Sequence, residues 1–413
     1  MKAEIPSPED PHRFDLKGVS AEEFLHTLAK ESFFLDWCFL NPTLPNGKEL
    51  CDLLVVFDNI AIIWQAKALK LHDGRYKLAE VQKNLRQLVG ARRKLFVLRA
   101  PVELENARRV KEAFDPTRIK EVFLVSALLG EGEDFYSSHE KVKGHTIHVF
   151  TRAFTEIALK ELDTLEDFVT YLRAKERFQE ERKGGLMVTG GEEQMLAYYL
   201  FNDRTFDPLL PYSFVSIDDT YWESLRADPK YLAKREADRV SYGWDGIIDR
   251  VHEGSPEYER VARELARPNR FERRVLSQDF LDAHIKAHED TVHDILRRVS
   301  VATDPAQGRN TTWCFLFVRR TVPRQQRIKM LEHLCLVARG KFPQNSKVIG
   351  IATEKEFEES CSYDFVVLDL PEWMAEHQAT MDTLQRELGL LTSPTVTGTN
   401  AQEYPDVPTA DPA

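Results

Sequence analysis

Asp52, Gln65 and Lys67 place a carboxylate, an amide and an ammonium at the ends of two otherwise apolar segments. The surrounding stretch, Glu49 to Lys67, reads ELCDLLVVFDNIAIIWQAK. Its β-branched-rich runs, Leu53 to Phe57 and Ile60 to Trp64, flank Asp58-Asn59, a pair that readily takes the positive φ angles of a tight hairpin turn. With those two residues as the whole loop, Asp52 stands across from Gln65 and Leu50 across from Lys67. Side chains alternate along a strand, so Asp52, Gln65 and Lys67 emerge on one face of the hairpin. Together they offer a negative oxygen ligand, a neutral hydrogen-bonding group and a positive charge. Those groups serve chemistry better than they serve a core.

The neighbouring segments would position this hairpin. Ser20 with Glu23 three residues on is a capping-box pattern, so a helix starts near Ala21 and runs to about Trp37. Phe24, Leu28, Glu31 and Leu35 fall at helical spacing on one stripe. That sets the Glu31 carboxylate among core-facing residues, where it needs a cation, a metal or a salt-bridge partner. Asn41 to Lys48 (NPTLPNGK) is a loop, broken by two prolines and Asn-Gly. Glu49 lies three residues before Asp52 and joins its face only if the chain bends there. Lys77 to Arg93 reads as an amphipathic helix with Leu78, Val81, Leu85 and Leu88 inward and Lys83, Arg86, Gln87 and Arg93 outward. Leu95 to Leu98, Val122 to Ser126 and Thr146 to Thr151 follow as strands. Between Arg75 and Arg99 stand eight basic residues and one acid, a net charge of +7. Such a run is ordinarily a solvated helix face. Its closeness to the hairpin is what suggests phosphate contacts.

Asp52, a short strand-turn-strand and then Gln65-Ala66-Lys67 resemble the D…QxK form of the PD-(D/E)xK nuclease superfamily, as in its Mrr-like branch. The resemblance covers roughly residues 20 to 100. Cys51 stands where the family commonly has proline, and Gln65 where it commonly has an acid. The resemblance implies a restriction-endonuclease-like mixed-sheet domain. It also implies a metal-dependent endonuclease hydrolysing phosphodiester bonds of DNA, with RNA left open. In that scheme Asp52 is the principal ligand of Mg²⁺, with Mn²⁺ as a substitute. Gln65 adds a neutral carbonyl oxygen and the Ala66 main chain another, hard donors of the kind Mg²⁺ takes. The neutral ligand at Gln65 implies weaker metal affinity than an acid would give. The metal neutralises charge developing on the phosphate and activates the attacking water. Lys67 orients that water and stabilises the transition state, or acts as the base. Glu31, carried over as the first-helix acid, and Glu49 support the metal. Lys83, Arg86, Gln87 and Arg93 hold backbone phosphates, contacts that position without reading sequence.

Leu159 to Phe178 reads as helix, passing into the charged run RAKERFQEERKGG. With GLMVTGG this marks a boundary, giving a nuclease-like domain at residues 1–185. Further on, Glu192 to Phe201 and Phe271 to Val299 look helical. Thr311 to Arg319, Arg324 to Arg339, Lys347 to Ala352 and Phe365 to Leu370 make a β-α-β-β arrangement. Residues 186–392 are therefore expected to be a second α/β domain that senses a trigger or docks a partner, and 393–413 a disordered tail. Residues 1–17 read as an arm. His284, His288 and His293 lack the HExxH arrangement of a helical zinc site. The glycines around 184–191 lack a P-loop pattern, and no GxSxG elbow occurs.

At 42% hydrophobic and 30% charged, the composition is that of an ordinary globular protein, and 413 residues allow two to three domains. No apolar run approaches the roughly 18 residues of a membrane span, and the N-terminus lacks a signal-peptide apolar segment, so no membrane partner is expected. Five scattered cysteines without CxxC spacing suggest a reduced, cytoplasmic protein. A net charge of −11 argues against indiscriminate coating of nucleic acid and leaves room for a local basic groove. A nuclease domain fused to an unfamiliar second domain resembles effectors of prokaryotic restriction or anti-phage defence. Cutting two strands with one site per chain would favour a homodimer. Two other readings compete: a nuclease-like module without activity that binds nucleic acid or protein, and a structural α/β protein in which Lys67 pairs with Glu31.

Overall fold

The computed structural model describes residues 21–109, 111–130, 137–252, 258–301, 311–357, 361–398 and 401–406. The arm at 1–17, the capping residue Ser20 and the last seven residues lie outside these. The chain divides into two compact units, Met1–Arg226 and Ala227–Ala413.

In the first unit, α1 (Ala21–Phe33) buries Phe24, Leu25, Leu28, Ala29, Ser32 and Phe33. Strands β1 (Cys38–Leu40), β2 (Leu53–Phe57) and β3 (Ile60–Lys67) follow as antiparallel neighbours. Asp58 takes φ 50°, and the register from Phe57–Ile60 to Leu53–Trp64 is that of a two-residue turn. Two ribbons, β4 (Leu71–His72) with β5 (Arg75–Tyr76) and later β6 (Glu103–Leu104) with β7 (Glu112–Ala113), flank α2 (Leu78–Arg92). Then come β8 (Glu121–Leu128), β9 (His139–Val142), β10 (His145–Thr151), α3 (Arg152–Glu161) and α4 (Leu165–Glu181). The sheet order is β1-β2-β3-β8-β10-β9, with β3-β8 and β8-β10 parallel. Alternation divides the sheet between two cores. Ala61, Ile63, Leu124 and Val149 share a cluster with Val81, Leu85 and Leu88 of α2. On the other side Trp64 stacks on Phe168 of α4 at 5.6 Å, and Phe33 of α1 meets the same ring at 5.2 Å. Each such buried side chain contributes about 1.5–3 kcal/mol, which is what holds both helix layers to the sheet.

The first unit continues beyond residue 185. Strands β11 (Gly185–Val188) and β12 (Phe214–Ile217) pair in parallel around α5 (Glu192–Phe201), and α6 (Tyr221–Ala227) follows. Lys175 of α4 is fully buried, donates to the Ser138 carbonyl at 2.6 Å and is ion-paired with Glu192 at the start of α5. The Tyr171 hydroxyl donates to the same carboxylate at 3.1 Å. The charged run that suggests a linker thus carries a buried ion pair, and the compact unit ends at Arg226. Leu95 to Leu98 is also not a strand. Arg93–Val97 prolong α2 as a π-helical turn.

The second unit holds α7 (Pro229–Asp238), α8 (Tyr242–His252), α9 (Glu259–Ala266) and α10 (Arg270–Glu289). Strands β13 (Ile295–Val301), β14 (Thr311–Val318), β15 (Lys347–Glu354) and β16 (Asp364–Asp369) form a sheet in that order, with α11 (Arg324–Lys341) and α12 (Ala375–Leu388). Only β14-β15 is parallel, joined through α11. The helix expected to reach Val299 stops at Glu289. There Asp290 Oδ1 accepts from the backbone N–H groups of Val292 and His293, both at 2.9 Å, an alternative to continuing the helix. The expected disordered tail is tied down in part. Arg274 donates to the carbonyls of Gln402 at 2.5 Å and Glu403 at 3.1 Å. No helix among the described residues is long and apolar enough to cross a membrane.

Candidate active site

Asp52 stands at a bend immediately before β2. Its carbonyl accepts from Asn41 N–H at 2.9 Å, and its N–H donates to the Trp64 carbonyl at 3.2 Å. The backbone is therefore fixed from both neighbouring strands. The side chain turns onto β3, where Oδ2 accepts from Gln65 Nε2 and from Ala66 N–H, both at 2.5 Å. Asp52 is 5% exposed and Gln65 9%. The expected pairing of Asp52 with Gln65 is present. The expected opposition of Leu50 and Lys67 is not, because the β2-β3 ladder begins at Leu53 and the bend takes Leu50 away. Lys67 is half-buried and, two residues along β3, shares the face of Gln65. Its ammonium forms no ion pair among the described residues.

Burial pushes the Asp52 carboxyl up to about 6, against the opposing pull of the Ala66 and Gln65 hydrogen bonds. The charges of Glu22 and Glu49 push it further the same way. Glu22 is the acid of the first helix that Asp52 feels, and sequence spacing missed it. Glu31 is exposed. The buried arc of α1 runs from Phe24 through Leu25, Leu28, Ala29 and Ser32 to Phe33 and leaves Glu31 just outside, which removes the reason to place a carboxylate in the core there. Glu49 is exposed, bridges Thr43 across the loop and reaches Asp52 through its charge, as the bend permits.

Gln65 meets Asp52 through its amide nitrogen, so the side chain expected to offer a carbonyl oxygen acts here as a donor. Beneath it lies Asn84 of α2, fully buried, donating to the Gln65 carbonyl at 3.2 Å and to Ser126 Oγ at 2.8 Å. Its Oδ1 is buried without a partner among the described residues. A polar residue on the inward face of α2 was the available sequence signal for this support.

Among the described residues no three His, Cys, Asp or Glu side chains gather in the manner of a metal cage. Mg²⁺ does not require one, since it commonly takes one or two carboxylates and keeps its waters. Burial, and after it the charges of Glu22 and Glu49, raise the Asp52 carboxyl, and a hard cation such as Mg²⁺ or Mn²⁺ is what would relieve an ionised carboxylate there. Lys83, Arg86, Gln87 and Arg93 are all exposed on α2 and its extension, as their spacing predicts. In the second unit, His284 is buried with its ring 4.1 Å from Phe357 and 4.9 Å from Phe317, while His293 Nδ1 lies 2.8 Å from Asp290 Oδ2. His284 thus packs against rings and His293 is hydrogen-bonded to Asp290.

No family model matches this chain, and neither a curated protein nor a solved structure matches it.

Proposed function

We propose that the chain is a metal-dependent nuclease whose first unit is a restriction-endonuclease-like domain of the PD-(D/E)xK type. One observation carries this reading. The buried carboxylate of Asp52 is oriented by Gln65 and Ala66 at the mouth of a two-residue hairpin, and Lys67, two residues after Gln65 on β3, forms no ion pair among the described residues. Asp52 would hold Mg²⁺ or Mn²⁺, with Glu22 or Glu49 as the second acid. A bound cation supplies charge neutralisation at the phosphate and a more acidic water. The two donors take Asp52 Oδ2 and leave Oδ1 for a further ligand. Lys67 then places a positive charge beside the reacting phosphate, and Lys83, Arg86, Gln87 and Arg93 align the backbone of the nucleic acid.

DNA is the proposed substrate and RNA the alternative to test beside it. Five free cysteines suit a reducing cytoplasm. The wider role we infer is an effector of restriction or anti-phage defence, with the second unit as sensor or docking partner and two copies acting on two strands. The test is plasmid nicking in Mg²⁺ or Mn²⁺ by the wild type, Asp52→Ala and Lys67→Ala. The wild type is expected to nick and both variants to lose at least roughly a hundredfold in rate. Equal cleavage by all three removes the proposal.

A second reading has its own observation. Gln65 spends its amide nitrogen on Asp52, an arrangement that also suits a nuclease-like module without activity. Salt-dependent DNA binding with no cleavage in either metal would select it.

A further inference from the structure

We infer that the tip of α2 carries an apolar wedge for a nucleic-acid base step. The inference rests on the nuclease reading and narrows its substrate to duplexes that open readily. The π-helical turn at Arg93–Val97 is closed by Leu98 N–H donating to the Arg93 carbonyl and Ala100 N–H to that of Lys94, both at 2.9 Å. Leu95 is buried, and Phe96 packs edge-on against Phe114, 6.0 Å between centroids at 81°. The Arg92 guanidinium lies 6.0 Å from the Phe96 ring. These contacts anchor the turn on one side. The next two side chains point away from it: Val97 is 65% exposed and Leu98 57%. A scattered apolar residue on a surface is ordinary, whereas an adjacent pair on a fastened tip is surface available to a partner.

The charges around the pair indicate which partner. Arg93 and Arg99 are exposed, Lys94 is half-buried, and none of the three forms an ion pair among the described residues. No acid occurs in the chain between Glu80 and Glu103, and Asp115, next to the Phe114 that packs on Phe96, is an acid from another segment whose charge Arg99 meets. Lys83 and Arg86 continue the positive stripe along the same helix. A nucleic acid answers both features, phosphates for the stripe and a base step for the wedge. A lipid surface answers them less well, because an interfacial helix lays down its whole apolar face, and that of α2 is buried against the sheet.

The experiment uses the full chain in EDTA with two duplexes carrying 2-aminopurine, one fully paired and one with a mismatch beside the probe. Plasmid nicking in Mg²⁺ is scored separately. The wild type is expected to raise the probe's fluorescence and to bind the mismatched duplex about tenfold more tightly, the size of a partly avoided unstacking cost. Val97→Ser combined with Leu98→Ser should abolish both effects with the salt dependence of binding and the thermal midpoint unchanged, while Leu98→Met keeps them. The inference is overturned if the double variant behaves as wild type. It is equally overturned if the wild type nicks and binds without a fluorescence rise or mismatch preference, which leaves the nuclease reading standing. Wild type that neither binds nor nicks removes both. Flotation with phosphatidylserine vesicles that depends on Val97 and Leu98, with no response to either duplex, would assign the tip to membranes instead.

Discussion

Asp52 is held in two opposed environments at once. Two donors at 2.5 Å favour its ionised form, while burial and the charges of Glu22 and Glu49 oppose it and win, leaving the carboxyl at about 6. The consequence for stability has a definite sign. A carboxyl whose folded-state value lies above its unfolded one stabilises fully below the unfolded value of 3.8, and that contribution is lost as pH rises through about 6. Asp52→Asn keeps an acceptor for Ala66 and cannot ionise. It is expected to exceed wild type in metal-free stability near pH 8 by on the order of 1–3 kcal/mol, and to match it near pH 3.5. Urea unfolding at the two pH values checks this. A variant less stable at the higher pH would show that the hydrogen bonds outweigh burial. Added Mg²⁺ should raise the wild-type midpoint and leave that of the variant unmoved, since only a ligand of the folded state stabilises it. Among the acids, Glu31 shows how one stripe of a helix misleads. Three apolar residues at helical spacing did not define the centre of the buried arc, and the acid whose charge reaches Asp52 sits in the first turn, at Glu22.

At the scale of elements, the hairpin was legible because turn chemistry and strand alternation both act locally. Asp58-Asn59 sets the register, and the register sets Asp52 beside Gln65. The helix after it was legible from its period, apart from Leu78, which the spacing turned inward and which is 52% exposed in the first turn. Its end was not legible. Leu95 to Leu98 is a short apolar run, and such runs read alike as strand and as helix until the packing of Leu95 and Phe96 decides. The junction of α4 and α5 is the opposite case, where a charged run concealed a core. Burial pushes the Glu192 carboxyl up to about 7 even with Lys175 beside it. Both groups are fully buried, so removing either one leaves the other without its counter-charge in the core. Lys175→Met alone is expected to cost roughly 3–5 kcal/mol in chemical denaturation, because it strands a buried acid. Adding Glu192→Gln should recover most of that loss. A single-variant cost near zero would mean that water reaches the pair.

For the molecule as a whole, the chain divides into compact units at Arg226 and not near residue 185, so a fragment that carries the whole first unit runs past the glycine-rich segment. A fragment ending at Arg226 is expected to unfold cooperatively. One ending at Gly185 lacks Glu192 and leaves Lys175 buried and unpaired, and should lose its sharp transition in near-ultraviolet circular dichroism. Equal cooperativity of the two fragments would return the boundary to the glycine-rich segment.

The sequence alone determined what depends on neighbours a few residues away: the two-residue turn, the pairing of Asp52 with Gln65, the outward cations of α2, and the alternation of strand and helix around β14 and β15. Those follow from backbone geometry and period. The tertiary structure alone decided which acid approaches Asp52, that Asn84 holds the Gln65 carbonyl from below, and that Lys175 lies in a core. It also decided that Arg274 secures the carbonyls of Gln402 and Glu403. Each of these joins residues far apart in the chain, and whether a charge is buried is set by what packs over it, which local spacing does not encode.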